Sequence, residues 1–250
     1  MPIQVSVDSL IASFAWNSVY SPQGHEFKLE PNLPAIENMQ ARERMRLLAA
    51  AAAAWDAVFT CNSNKAELTV GYTTFYGDLA GAFAAQADLW KHQIYQAANY
   101  FKQRYFPEAP LDKIAALRPS AELSPQQDVD KGLGDPLIYK YHDYFLKALT
   151  EKNVSPVDIL SWYQAGELAE QLGCTPEIIS QLFPDAASLV RDSEYWWLMY
   201  RSLAVAKRLQ APPLLALSAA PFGESKREIQ TAPYFSQEYL ELKQRLLQGG

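Results

Sequence analysis

The residues best placed for chemistry lie in Asn64-Lys65-Ala66-Glu67, which follows a short apolar run, Ala57-Val58-Phe59-Thr60, and a polar turn, Cys61-Asn62-Ser63. A buried strand, a turn and a helix start would set backbone N–H groups and a positive dipole end at the strand's carboxyl end. That arrangement suits phosphates, at the edge where open α/β sheets bind ligands. Glu67 falls in the helix's first turn, where a carboxylate can reach a metal ion held on phosphates; taken alone, its commoner reading is a surface acid favoured by the dipole. Lys91 sits in the first turn of a later amphipathic helix, Asp88 to about Tyr105. An ammonium opposes the dipole there unless an anion offsets it, which points to a phosphate contact. Asp78, in Tyr76-Gly77-Asp78-Leu79-Ala80-Gly81, reads on local grounds as a turn former. His25, His92 and His142 lack partners at ligand spacing, and His92 reads as a surface helix residue. Cys61 and Cys174 belong to no metal-ligand spacing.

The elements that must position these residues follow from periodicity and breakers. Alternation over residues 3–8 predicts a short strand, and Ser18 to Pro34, with Gly24 and three prolines, reads as a surface loop. A helix is expected from about Pro34 to Trp55, with proline in its first turn and an alanine-rich end. Ala57 to Thr60 is read as a strand and Asn64 to Phe75 as a helix, ended by Gly77 and Gly81. Gly132 to Pro136 reads as a turn. Beyond it come helices over Leu137 to Thr150, from the Ser155-Pro156 cap to about Tyr163, after Thr175-Pro176, and over Asp185 to Leu209. The aromatic band Trp196, Trp197 and Tyr200 fits a core or subunit contact. A charged amphipathic helix, Glu238 to Leu247, is expected at the periphery.

Composition bounds the rest. The 250 residues can bury one sizeable core, and 49% hydrophobic with 20% charged residues is ordinary for a globular domain. A net charge of −6 argues against nucleic acid or an anionic membrane as the main partner, while leaving room for a nucleotide held by a few cations. No apolar run approaches the roughly 20 residues of a membrane span. The first residues lack the pattern of a signal peptide, and two distant cysteines fit a reducing compartment, so a cytoplasmic location is expected.

Four stretches, in order, resemble the NAD synthetases, which amidate deamido-NAD using ATP. They are Glu37-Asn38-Met39-Gln40-Ala41-Arg42, Asn64-Lys65-Ala66-Glu67 through Gly77-Asp78, Pro119-Ser120-Ala121-Glu122-Leu123, and Lys207-Arg208-Leu209-Gln210-Ala211-Pro212-Pro213. Gln126 to Asp128 and Ala220 to Arg227 extend the match. The resemblance covers about Glu37 to Arg227 and is closest to the C-terminal part of the glutamine-dependent branch. It implies an α/β fold: a partial Rossmann-like parallel sheet of the adenine nucleotide alpha-hydrolase type with a mainly helical C-terminal portion. Residues 1–250 would form a partial synthetase domain, with 1–34 its N-terminal strand and loop and 135–250 its helical portion.

By the same resemblance, Glu67 ligates magnesium, and Asn62, Lys91 and Ser120 bind ATP, with Glu122 fixing the Ser120 loop. Arg42 and Lys207 bind deamido-NAD, with Asn38 and Asp78 in support. A planar arginine fork can grip phosphate or carboxylate oxygens in two places, whereas an isolated helical Arg42 would pair with a nearby Glu. Ammonia, derived from glutamine, is the expected nitrogen donor, and a homodimer the expected assembly. Asn62 stands where threonine is usual, Ala206 replaces histidine or tyrosine, and Phe75 and Ala82 replace a lysine and an aspartate of the ammonia-dependent branch. No Ser-Gly-Gly-x-Asp-Ser phosphate loop and no amidase domain occur in the sequence. The chain is therefore expected to be incomplete alone, needing a partner chain that supplies them, or to be a non-catalytic fragment.

Overall fold

A computed structural model describes residues 8, 18–20, 26–28, 32–121, 123, 129–131, 134–202, 204–222 and 235–248. Among the described residues the parallel sheet expected from sequence is absent. Among the described residues the strands are β1 (Ser18–Tyr20) and β2 (Glu26–Lys28), an antiparallel pair with Val19 opposite Phe27. Residues 57–60 form no strand. Phe59 and Cys61 instead exchange single hydrogen bonds with Ala82 and Phe83, and Ala84 makes an isolated parallel bridge to Leu214. Three short extended segments thus lie side by side with too few bonds to make a ladder. Gly81 permits this close approach: a Cβ there would come within 2.5 Å of the Cys61 nitrogen. Asp8 is helical, and the remainder of the strand expected over 3–8 lies outside the described residues.

Helices carry the fold. Helix α1 (Leu33–Ala54) begins on Asn32, whose side chain accepts the Ala35 N–H, and has Pro34 in its first turn. Helix α2 (Lys65–Val70) is shorter than expected because Gly71 adopts a left-handed conformation (φ 67°) and caps it. There follow α3 (Lys91–Arg104), α4 (Leu111–Ala116), α5 (Tyr139–Glu151), α6 (Pro156–Ala165), α7 (Leu168–Leu172) and α8 (Pro176–Leu182). The long helix expected over Asp185 to Leu209 is two helices, α9 (Ala186–Arg201) and α10 (Ala204–Gln210), broken at Ser202; α11 (Gln237–Gln248) comes last.

The core forms around α5, whose apolar stripe Tyr141, Phe145, Leu146 and Leu149 meets Val70, Ile159, Leu160, Leu189 and Trp196. Each such aliphatic or aromatic side chain contributes about 1.5–3 kcal/mol by leaving water. Helix α11 is no peripheral element: Tyr239 and Leu242 are buried in this core and the helix packs on α6 and α9. Helix α2 lies within it, touching α5, α9 and α10. A segment surrounded in this way is held rigidly, and Glu67 with it.

Candidate functional site

Asn64 and Glu67 close the start of α2 reciprocally. The Asn64 side chain accepts the Glu67 N–H (3.0 Å), and the Glu67 carboxylate accepts the Asn64 N–H (3.0 Å) and its Nδ2 (2.6 Å). The Tyr139 hydroxyl, from the first residue of α5, donates to Glu67 Oε1 at 2.9 Å. Burial pushes the Glu67 carboxyl up to about 7 and neighbouring Asp135 adds to that, while the Lys91 charge and the bonds from Asn64 and Tyr139 oppose it.

Glu67, Lys91, Ser120 and Asp78 line one cavity of about 560 Å³, together with Tyr72 and Asp135. The Lys91 ammonium stands 5.2 Å from the centre of the Tyr139 ring and 6.0 Å from that of Tyr95. Asp143 fixes the start of its helix. This fully buried carboxylate accepts the His92 N–H at 2.8 Å and lies 2.9 Å from His92 Nδ1. Two histidines therefore do have carboxylate partners, His92 with Asp143 and His142 with Asp192 (3.2 Å), while His25 lies outside the described residues. Spacing along the chain could not show this, because both pairs join residues about 50 positions apart.

A second group gathers on the loop after α2. Lys207 donates to the carbonyls of Gly71 (2.6 Å) and Thr73 (2.5 Å), Arg42 Nε to that of Phe75 (3.0 Å), and the Thr74 hydroxyl to Asn38 Oδ1 (2.8 Å). Asp78 Oδ1 accepts the Thr74 N–H at 2.7 Å. Burial raises the Asp78 carboxyl and lowers the Lys207 ammonium, whose loss the Asp78 charge resists. Asn38, Arg42 and Lys207 are thus brought together, beside the cavity rather than on its lining. Asn62 joins neither group: it is exposed, accepts the Thr60 hydroxyl (3.0 Å), and its carbonyl accepts from Gln86. Glu122, Gln126 to Asp128 and Gly223 to Arg227 lie outside the described residues.

Sequence reasoning passed over Lys65, Asp135 and Tyr139. Lys65 is fully buried and donates to Asp88 (2.8 Å), Glu151 (3.0 Å), the Ser218 hydroxyl (3.1 Å) and the Ala220 carbonyl (2.9 Å). Asp88 in turn accepts the Leu217 and Ser218 N–H groups. The network fastens the base of α2 to the lead-in of α3 and the end of α5. The available signal was Lys65 itself, a charge between a capping residue and a run of buried positions.

The NAD synthase family model matches residues 6–186, and the chain belongs to that family. It is 31% identical over 201 residues to the glutamine-dependent NAD(+) synthetase of Aquifex aeolicus, covering 80% of this chain and 30% of that protein. The Synechocystis protein of the same name is 34% identical over 195 residues, covering 77% of this chain and 29% of its own length. The chain thus spans about 30% of the length of these relatives. In fold it is similar to the crystal structure of a glutamine-dependent NAD(+) synthetase from Cytophaga hutchinsonii. That match has a TM-score of 0.60 and 15% identity, over 98% of this chain and 35% of the other. Among the described residues no helix is long and apolar enough to cross a membrane.

Proposed function

We propose that this chain carries the ATP- and deamido-NAD-binding part of a synthetase that converts deamido-NAD to NAD. The observation that carries this reading is the convergence of Glu67, Lys91 and Ser120 on one cavity, from α2, α3 and a loop far apart in sequence. In the reaction, a carboxylate oxygen of deamido-NAD attacks the α-phosphorus of ATP and pyrophosphate leaves. Ammonia then attacks the acyl carbon of the adenylate, losing a proton as AMP departs. Lys91 and the Ser120 hydroxyl hold phosphate oxygens by charge and hydrogen bonding. Arg42 and Lys207 serve deamido-NAD from the adjoining loop; to do so Lys207 exchanges a backbone carbonyl for a ligand oxygen. Asn62 is assigned to ATP on resemblance alone, since its side chain stands off the cavity.

Magnesium fits the donor chemistry in one mode. Glu67 offers hard carboxylate oxygen, and Oε2, which accepts the Asn64 N–H, keeps acceptor capacity. Among the described residues no group of three acidic, histidine or cysteine side chains could cage a metal. An ion carried in on phosphates, with Glu67 as its protein ligand, is the matching arrangement, and it would neutralise phosphate charge.

Formation of NAD and AMP from deamido-NAD, Mg-ATP and ammonium by the purified chain tests the reading, with Glu67→Ala alongside. Turnover lost in the variant supports it. A second reading, binding without turnover, is favoured by the lack of a Ser-Gly-Gly-x-Asp-Ser sequence in these 250 residues. It predicts ATP binding with no product until a chain bearing that loop is added. In both readings a homodimer is the proposed assembly, and sedimentation at micromolar concentration distinguishes it from a monomer.

A further inference from the structure

We propose that Asp135 is a positioning residue that clasps the Ser120 turn and holds it against Glu67 and Lys91. The proposal rests on the reading of Ser120 as a nucleotide contact. Residues 118–121 follow the end of α4 and belong to no helix or strand, so no repetitive backbone pattern fixes the turn that carries Ser120. Asp135 does so from both sides. Its N–H donates to the Pro119 carbonyl (3.0 Å), and its Oδ1 accepts the Ala121 N–H (3.1 Å), so the residues flanking Ser120 are both bound by a single residue.

The same carboxylate is anchored to other elements at the cavity. Oδ1 accepts the Tyr72 hydroxyl (3.2 Å) just beyond the Gly71 cap of α2, and Oδ2 lies 3.5 Å from the Tyr139 hydroxyl that donates to Glu67. Asp135 therefore connects the Ser120 turn to α2 and, through Tyr139, to the Glu67 carboxylate. Gly134 makes the approach possible: a Cβ there would lie 2.8 Å from both Arg118 Nε and the Pro119 carbonyl oxygen. Of the stretch that reads in sequence as a plain turn, residues 134–135 lie directly on the loop they hold.

The test is a double-mutant cycle on Mg-ATP affinity, measured by titration calorimetry with the full chain. Asp135→Ala weakens binding about tenfold, the loss of roughly one productive hydrogen bond. Asp135→Asn keeps an oxygen acceptor for Ala121 and stays within about threefold of the parent. Combined with Ser120→Ala, Asp135→Ala adds little, because both changes remove the same contact. Amide exchange at Ala121 accelerates in Asp135→Ala whether or not nucleotide is present. If Lys91→Ala and Ser120→Ala weaken binding while Asp135→Ala does not, or acts additively with Ser120→Ala, the positioning role is overturned and the nucleotide reading stands. Should Lys91→Ala and Ser120→Ala both leave affinity unchanged, or the parent bind no Mg-ATP, the nucleotide reading itself fails and this role falls with it.

Discussion

Two lysines of this chain stand among carboxylates and differ in what surrounds them. Lys65 is sealed in protein, with its ammonium bonded to Asp88, Glu151, Ser218 and the Ala220 carbonyl. Lys91 shares the lining of an open cavity with Glu67 and Asp135, and its ammonium stands over the Tyr139 and Tyr95 rings. Around Lys65 the charges are close, dry and saturated by hydrogen bonds. Burial would raise the Asp88 carboxyl, yet the Lys65 and Ser218 bonds hold it below its ordinary value. Around Lys91 burial wins, and both Glu67 and Asp135 are pushed up. A satisfied cluster fixes structure, whereas an under-compensated one beside a void retains binding capacity.

The largest expected effect is at the sealed lysine. Lys65→Met leaves Asp88 and Glu151 without their cation and costs about 3–5 kcal/mol, read from the midpoint of urea unfolding. A loss below about 1 kcal/mol would break the contrast, since the ion pairs would then be dispensable. Lys91→Met removes a cation from an open cavity and is expected to change stability by less than about 1 kcal/mol in the same assay.

The raised Glu67 carboxyl gives the second test. A carboxyl whose folded value exceeds its unfolded one binds its proton more tightly when folded. Its stabilisation is thus complete below the ordinary 4.5 and lost as pH rises through about 7. Metal-free protein should lose about 2–3 kcal/mol across that window from this group, and Glu67→Gln should flatten that part of the profile. An unchanged profile in the variant would show that Glu67 is better compensated than its surroundings indicate.

Gly71→Ala sharpens the comparison at the seam between the two regions. The new Cβ would meet the Ala204 Cα at 2.8 Å on a left-handed backbone, for a cost of about 1–3 kcal/mol by thermal unfolding. Smallest is Arg46→Ala, which takes an exposed guanidinium away from the largely buried Glu43 carboxylate on α1 and should cost no more than about 1 kcal/mol. Equal losses at these two positions would mean that burial does not rank these contacts.

Much of the helical order was legible, because caps are local. Asn32, Asn64, Ser155 and Asp185 each accept an N–H of the first turn of the helix that follows. Helix ends were less legible: Gly71 stops α2 early, and Ser202 splits α9 from α10. The sheet was misread for a different reason. A run such as Ala57 to Thr60 has the composition of a buried strand, but a strand exists only when neighbours complete its ladder, and here they supply single bonds. Among the candidate site residues that share the cavity, Glu67 and Lys91 stand out in the sequence by their helix-start positions and Ser120 by its motif. Asn62 was carried over by resemblance to a place that faces solvent.

By itself the sequence determined the family, the helix starts and the residue types able to meet phosphate and a divalent cation, since each depends on neighbours within a few positions. Only the tertiary structure decided which of them share a cavity. It showed that Lys65 is spent on Asp88 and Glu151, that Lys207 and Arg42 converge on the loop after α2, and that Asp135 and Tyr139 bind the Ser120 turn to Glu67. These partners lie tens to more than a hundred residues apart, and packing against a common core, rather than any spacing along the chain, brings them within a hydrogen bond's length.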